Sequence, residues 1–459
     1  MSRKCRALLI SAPASGQGKT TVTAALARYF LRQGLVVRVF KTGPDFIDPM
    51  ILTQASGAPV HQLDLWMVGE EACKQRLQAA AEVADIILIE GVMGLFDGTP
   101  SSADLAIYFG IPVLAVINSK GMAQTFGAVA HGLASYRSGL NIVGVLANLV
   151  SSENHAEMLA ESVPEQLGYL ASMRKDESIS LPSRHLGLVQ ADEVDDLNQR
   201  LDQAADLLSI PSLEKFAPEV EFNFSVDACA RPASLEGRRI GIACDKAFSF
   251  IYPANVELLE RLGATIQFFS PLNDNSLPEV DSLWFPGGYP ELFAEGLSAN
   301  VSMKQSIRLH HEQGKPILAE CGGMLYLSES LQTVDGRHCE MVGLLAGRGI
   351  MQNRLGGLGM QSFSFSDDEG LGGEVRGHTF HYSRLESDLS AFSYAIKQRN
   401  GAQGEAVYKL GRLIASYLHF YFPSNPEVCA SFFMSMEGLL QNNQNHNLRS
   451  MSCISNQAL

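Results

Sequence analysis

A cysteine between an apolar run and a glycine pair, and a lysine in a glycine-rich loop, are the two places in this sequence where residue type and spacing point to chemistry. The first is Pro316-Ile-Leu-Ala-Glu-Cys321-Gly322-Gly323-Met324, which reads as strand, tight turn and helix with the thiol at the apex, the layout of a nucleophile elbow. A thiol so placed is expected to be exposed, to have its pKa lowered by helix N–H groups, and to have the Gly322 amide beside it as an oxyanion donor. Upstream, Leu283-Trp-Phe-Pro-Gly287-Gly288 ends a second apolar run in a flexible pair that can donate the other oxyanion hydrogen bond. Far downstream, Ile414-Ala-Ser-Tyr-Leu-His419 ends another strand in an imidazole. Cys and His so distant in sequence still meet when their strands end at one edge, so Cys321 is the expected nucleophile and His419 its base.

The second place is Ser11-Ala-Pro-Ala-Ser-Gly16-Gln-Gly18-Lys19-Thr20-Thr21, between a strand and a helical stretch, where a phosphate-binding loop belongs. Gly16 and Gly18 let backbone N–H groups converge on phosphate, Lys19 neutralises the β and γ oxygens, and Thr20, followed by Thr21, offers Mg²⁺ a hydroxyl. The full loop pattern requires glycine at position 13, where Pro13 stands, so the loop is a variant. Lys41-Thr-Gly-Pro-Asp45-Phe-Ile-Asp48-Pro49 brings a cation and two carboxylates to a strand end: either Lys41 bridges phosphate and Asp45 binds Mg²⁺, or this is turn chemistry with a solvated lysine. Ile86-Ile-Leu-Ile-Glu90-Gly-Val-Met-Gly-Leu-Phe-Asp97 places Glu90 directly after a buried apolar strand, like the metal-side acid of phosphate-loop enzymes. Asn148 closes a further strand, where it offers an amide to adenine or merely forms a turn.

These residues need elements to hold them at one edge. Strands are expected over Arg6–Ile10, Val36–Lys41, Asp85–Glu90, Pro112–Ile117 and Ile142–Asn148, alternating with helices as in a doubly wound, mostly parallel α/β domain with ligands at the strand carboxyl ends. A second α/β series follows at Arg239–Ala243, Ser282–Phe285, Pro316–Ala319 and Leu413–Tyr417. The expected organisation is a first domain over 1–210, a linker over 211–237 where periodicity fades among prolines, a second domain over 238–437, and a disordered Asn/Gln-rich tail over 438–459. The opening Arg-Lys-Cys-Arg and Ala7–Ile10 run straight into the loop, so they read as a buried strand and not as a signal peptide. A net charge of −14 with no basic cluster argues against nucleic-acid binding. With 46% hydrophobic residues but no apolar run near the roughly 18 residues of a membrane span, no membrane partner is expected either. Eight cysteines without a CxxC pair suggest neither disulfides nor zinc, hence a reducing, cytoplasmic setting.

Taken together these segments resemble the cobyrinic or hydrogenobyrinic acid a,c-diamide synthase family over roughly residues 5–435. The segments are Lys41–Pro49, Glu90–Gly98, Leu181–Leu188, Phe285–Glu291, Ala319–Met324, Gly377–Ser383 and Ser416–His419. The resemblance implies a dethiobiotin synthetase-like phosphate-loop domain followed by a class I glutamine amidotransferase domain of the cobyric-acid-synthase type. It implies glutamine hydrolysis at Cys321, ATP- and Mg²⁺-dependent phosphorylation of corrinoid side-chain carboxylates near Asp45 and Asp97, and ammonia attack on the acyl phosphates to give the a and c amides. Asp48 and Asp97 are then candidates for orienting the corrinoid. The implied partners are the corrinoid, L-glutamine and ATP; a homodimer is one candidate assembly, and the sequence leaves the oligomeric state open.

Two positions depart from related patterns. Tyr421 stands two after His419, where many class I amidotransferases carry an acid, and Ala14 stands where related loops carry a second lysine. A Cys–His dyad and a single loop lysine are therefore expected. Two rival readings remain. One is a phosphate-loop switch ATPase fused to an inactive amidotransferase module. The other is a cobyric acid synthase, against which Leu63-Asp-Leu-Trp-Met67 and the compact length weigh; the same stretch leans the reading towards a metal-free corrinoid.

Overall fold

The computed structural model describes residues 3–180, 183–184, 187–210, 213–224, 234–365 and 373–435. The chain divides between residues 228 and 229 into two units.

In the first unit, strands β1 (Arg3–Ser11), β2 (Val37–Thr42), β3 (His61–Leu63), β4 (Ile86–Glu90), β5 (Val113–Asn118), β6 (Ile142–Val150) and β7 (Gly168–Arg174) alternate with helices α1 (Lys19–Arg32), α2 (Ile47–Ser56), α3 (Glu70–Val83), α4 (Ser102–Phe109), α5 (Thr125–Ser135) and α6 (Glu153–Ser162). A short ladder of β8 (Ser183–Arg184) with β9 (Gly187–Leu188) stands apart. Then follow α7 (Leu197–Asp206), β10 (Leu208–Ser209), α8 (Leu213–Phe216) and β11 (Glu219–Phe222). The main sheet runs β10-β7-β6-β5-β1-β4-β2-β3, with β11 paired to β1. Its centre is parallel: β1 lies between β4 and β5, and β4 between β1 and β2. The β4 sequence Ile-Ile-Leu-Ile-Glu has no polar alternation because the strand is buried along its whole length, as a parallel strand covered on both faces must be. The helix α1 turns Val22, Ala25, Leu26 and Phe30 into the core shared with Leu8, Ile10 and Leu88. Lys41 and Glu90 thereby fall at the carboxyl ends of the neighbouring strands β2 and β4, and Asn148 falls at the same edge on β6, beyond β1 and β5.

The expected linker over 211–237 needs correction. Residues 219–222 pair antiparallel with Arg3–Arg6 of β1, and Phe216, Ala217, Val220 and Phe222 are buried. Short alternation (Glu-Val-Glu-Phe) in a proline-rich neighbourhood hid a strand that belongs to the first sheet. The tail read as disordered over 438–459, and the side chains of the Leu181–Leu188 segment, lie outside the described residues.

The second unit contains β12 (Arg239–Ala243), α9 (Pro253–Arg261), β13 (Thr265–Phe269), β14 (Ser282–Phe285), α10 (Ala294–Ala299), α11 (Val301–Glu312), β15 (Ile317–Glu320) and α12 (Gly322–Leu327). It continues through β16 (Ser328–Gln332), β17 (His338–Glu340), β18 (Leu345–Met351), β19 (Gly357–Phe365), β20 (Gly373–His381), β21 (Ser383–Glu386), β22 (Ser393–Lys397), β23 (Gln403–Leu410), β24 (Leu413–Ser416), β25 (His419–Phe420) and α13 (Pro426–Ser431). The main sheet runs β13-β12-β14-β15-β24-β23-β22-β19-β20-β25, parallel as far as β24 and antiparallel beyond, beside a smaller β17-β16-β18-β21 sheet. One difference from expectation matters for the site. The run Ile414–His419 is not one strand: β24 stops at Ser416, and the chain crosses to pair antiparallel with β20, so His419 opens β25. Among the described residues no helix is long and apolar enough to cross a membrane.

Candidate active sites

In the first unit, Gly18 takes φ +87 and a Cβ there would sit 2.2 Å from Asn148 Nδ2, so both conformation and space require glycine. Gly16, at φ +75, needs it for conformation alone. Asn148 does not stand open at the strand end. Its Nδ2 donates to Gln17 O at 2.9 Å, its Oδ1 accepts from Leu149 N, and Gln17 Oε1 in turn accepts from Asn118 N. The two strand ends thus brace the loop. Lys19 Nζ donates to Ala14 O (3.2 Å) and Met93 O (2.5 Å), folding back across the loop. Burial, then the Lys41 charge, lower its pKa.

Behind the loop lies a buried ionic cluster. Lys41 Nζ reaches Glu90 Oε1 at 3.1 Å and Asp48 Oδ2 at 3.0 Å, and Thr20 Oγ1 donates to the same Glu90 Oε1 at 2.7 Å. Lys41 is therefore not a solvated turn lysine. Burial opposes its charge, but Glu90, Asp48 and Asp45 outweigh burial and hold its pKa above the ordinary lysine value. Burial raises Glu90 to about 6 despite the lysine. Asp45 and Asp48 divide the work. Asp45 Oδ1 accepts from Ile47 N and Asp48 N and so caps α2; burial and the neighbouring Asp48 push its pKa well up. Asp48 stays ionised: burial works against it, but Lys41 and hydrogen bonds from Lys41, Asp45 and Thr20 prevail. Asp97 Oδ2 accepts from Gly94 N at 2.8 Å, and its charge reaches Lys19. Thr21 follows in the first turn of α1.

Glu90 Oε2 is buried without a hydrogen-bond partner, beside the Thr20 hydroxyl. That orphan suits a hard cation. Among the described residues no three His, Cys, Asp or Glu side chains are grouped to hold a metal by themselves. A Mg²⁺ ion that keeps several waters and takes most other ligands from nucleotide phosphates needs only one or two protein oxygens, and this donor set fits it.

In the second unit, Cys321 sits between β15 and α12 at φ +46, ψ −107, a strained backbone for a non-glycine residue. Its N donates to Ser416 O at 2.7 Å, tying the elbow to the end of β24. The glycines are packed tightly around it. A Cβ on Gly322 would meet Gly288 N at 3.1 Å, one on Gly288 would meet Ala247 O at 2.1 Å, and one on Gly287 would meet His419 Cε1 at 2.2 Å. Elbow, glycine pair and imidazole are thus brought together, as the spacing predicted. The thiol differs from expectation: it is buried, with a residue exposure of 6%, and its pKa is raised by burial and then by Glu291. The Gly322 N–H lowers it too little to compensate. Burial, then His378 and His381, hold His419 well below the ordinary imidazole value. Burial thus disfavours the charged form of both the thiol and the imidazole.

Two family models match the chain: a CobQ/CobB/MinD/ParA nucleotide binding domain over residues 8–189 and a CobB/CobQ-like glutamine amidotransferase domain over residues 239–427. A hydrogenobyrinate a,c-diamide synthase of Stutzerimonas stutzeri is 55% identical, with 94% of this chain and 99% of the relative covered. One from Pseudomonas aeruginosa is 54% identical over 93% of this chain and 97% of the relative. A cobyrinate a,c-diamide synthase of Herminiimonas arsenicoxydans is 50% identical over 94% and 97%. The chain belongs to the a,c-diamide synthase family. It is accordingly an amidating ligase with a nucleotide-binding domain and a glutamine amidotransferase domain.

As a member of the a,c-diamide synthase family, the chain carries site residues that sequence reasoning missed. Glu320, immediately before Cys321, is 1% exposed; its Oε1 accepts from Phe420 N at 2.8 Å and its Oε2 from Trp284 Nε1 at 3.0 Å. It therefore pins the backbone next to His419. An acid in the apolar elbow strand was the available signal. Burial raises Glu320 from 4.5 to about 8, so the folded state keeps a proton that the unfolded chain releases. Its contribution to stability is fully present below pH 4.5 and is lost as pH rises through about 8. Denaturant titrations across that window should show the second unit weakening with pH, and Glu320→Gln, which cannot titrate, should flatten the slope. An unchanged slope would show that Glu320 is ionised in the folded protein.

Proposed function

We propose that this chain makes the a and c amides of hydrogenobyrinate, the metal-free corrinoid, with ATP and glutamine as co-substrates. The observation that supports this reading is that one chain carries both sets of candidate residues: the strained Cys321 elbow with His419, and the Thr20–Glu90–Lys41 cluster behind a braced loop. The switch-ATPase reading leaves the first of these without a use. The choice of a metal-free substrate rests on the names of the 55% and 54% identical relatives; the 50% relative named for cobyrinate supports the cobalt form as the second reading.

In the amidotransferase unit, His419 takes the thiol proton as Cys321 Sγ attacks the glutamine amide carbon. Gly288 and Gly322 N–H groups face the developing oxyanion, with Gly287 against the base. His419 returns the proton to the leaving ammonia, and water hydrolyses the thioester to glutamate. In the synthetase unit, the corrinoid carboxylate attacks the γ-phosphorus of ATP, and ADP leaves. Thr20 and Glu90 would hold a Mg²⁺ ion, which would supply neutralisation of the charge developing on the transferred phosphoryl group. Lys19 leaves its carbonyl partners for phosphate oxygens, while Lys41 keeps Glu90 and Asp48 ionised; Asp97 and Asp48 are the acids we place towards substrate, and Asp45 acts on the metal side only through α2 and Asp48. Ammonia then displaces phosphate from the acyl phosphate to form the amide. Adenine recognition by Asn148 requires its second amide hydrogen, since the first is given to Gln17. The reaction is placed in the cytoplasm, where ATP and reduced thiols are available.

Mass analysis of products is the test. With metal-free and cobalt corrinoids supplied separately, two amides should form, faster on the metal-free ring. Four amides would favour a cobyric acid synthase, and faster turnover of the cobalt form would favour the second reading.

A further inference from the structure

His419 acts as a base, yet no acid stands at position 421 to hold its ring; Tyr421 is there, buried and packed edge-on to Tyr252 at 5.5 Å. The backbone of His419 is well fixed. A Cβ on Gly377 would fall 2.1 Å from His419 O, so β20 and β25 approach as only glycine permits, and Glu320 holds the next amide. Neither contact sets the plane of the imidazole. His378 lies directly across the antiparallel pair from His419, and the two rings stack with centroids 4.9 Å apart and planes 18° apart. His378 is itself anchored, its Nδ1 lying 3.1 Å from the hydroxyl of the buried Tyr252. The Gly287 backbone closes against the Cε1 corner of the His419 ring.

We propose that His378 is a positioning residue for glutamine hydrolysis: its ring, anchored by Tyr252 and stacked on His419, fixes the plane of the base in the way an acid two residues downstream does elsewhere. Burial keeps His378 neutral, with a pKa near 3, so the stack places no second positive charge beside the base when His419 receives the thiol proton. The effect is one of orientation, and a reacting group loosened by an ångström or so loses on the order of a hundredfold in rate.

This inference rests on the Cys321–His419 reading, so the experiment measures glutaminase turnover, KM for glutamine and ammonium-fed synthesis in the full chain. His378→Ala should lower glutaminase kcat about 10- to 100-fold, with KM within about twofold and ammonium-fed synthesis intact. His378→Phe restores a flat ring and should return kcat to within about threefold of the parent. Tyr252→Phe, which keeps both aromatic contacts and removes only the anchor, should lower kcat by a smaller factor at unchanged KM. Should His378→Ala fail to fold, the Phe variants carry the test. A wild-type kcat in His378→Ala, a rise in KM alone, or a His378→Phe enzyme slowed more than tenfold would each overturn the proposal. Absence of glutaminase activity in the parent chain would instead overturn the underlying assignment of Cys321.

Discussion

Cys321→Ala is expected to abolish amide synthesis fed by glutamine while leaving synthesis fed by high ammonium within about twofold of the parent enzyme. The asymmetry follows from where the thiol sits. It closes an elbow in the second unit, under Gly287, Gly288 and His419, and in the proposed mechanism its part is to form and release a glutamyl thioester. Replacing Sγ by hydrogen removes the nucleophile outright. Ala at φ +46 carries the same backbone strain as Cys, so the fold should tolerate the change. The check is corrinoid amidation with each nitrogen donor, alongside glutamate release. Equal loss with both donors would mean that the elbow also serves the synthetase reaction.

Lys19→Ala and Glu90→Ala should act in the opposite pattern, removing amidation with either donor while glutaminase activity persists at a reduced level. Lys19 is the loop cation, bound to two carbonyls, and in the proposed mechanism it exchanges them for nucleotide phosphate oxygens. Glu90 is the fully buried acid on which Thr20 and Lys41 converge. Loss of a group that stabilises charge on a transferring phosphoryl typically costs about 3–4 kcal/mol, a hundred- to a thousandfold in rate. Glu90→Ala adds a second injury, because Lys41 and Thr20 each lose a buried hydrogen-bond partner and Lys41 is left to Asp48 alone. Glu90→Gln is the milder probe: it keeps the volume and should raise the Mg²⁺ requirement. Ammonia-fed turnover at the parent rate in Lys19→Ala would end the phosphate-loop assignment.

The sequence made both units legible because each site sits at the end of an uninterrupted apolar run. Ile86–Ile89 announces a strand buried on both faces, and Glu90 after it has no apolar role; Ile317–Ala319 does the same for Glu320 and Cys321. Glycine punctuation located the elbow for the same reason, since only close backbone approach needs Gly287, Gly288 and Gly322 together. What stayed hidden depends on contacts between distant segments. Whether Asp45 or Asp48 faces Lys41 is decided by which of them caps α2, a choice that local spacing does not make. The raised pKa of the thiol reflects burial first, and then carboxylates from three separate elements, Glu291, Glu405 and Glu320. The stack of His378 on His419 requires knowing that the chain leaves β24 after Ser416 and crosses the sheet, and nothing in Ser416-Tyr-Leu-His419 marks that departure.

The pairing of Glu219–Phe222 with Arg3–Arg6 fixes where the synthetase half can be cut free. A fragment severed near residue 211, where composition alone would place the scissors, loses Phe216 and Ala217 from its core and leaves Arg3–Arg6 with one bare ladder edge. Such an edge recruits other chains and precipitates. Severing at the 228/229 division keeps that ladder and its packing, so a half-enzyme made there should stay dispersed and could be supplied with ammonium in place of its lost glutaminase. A few ladder bonds between distant segments therefore separate a usable module from an aggregate.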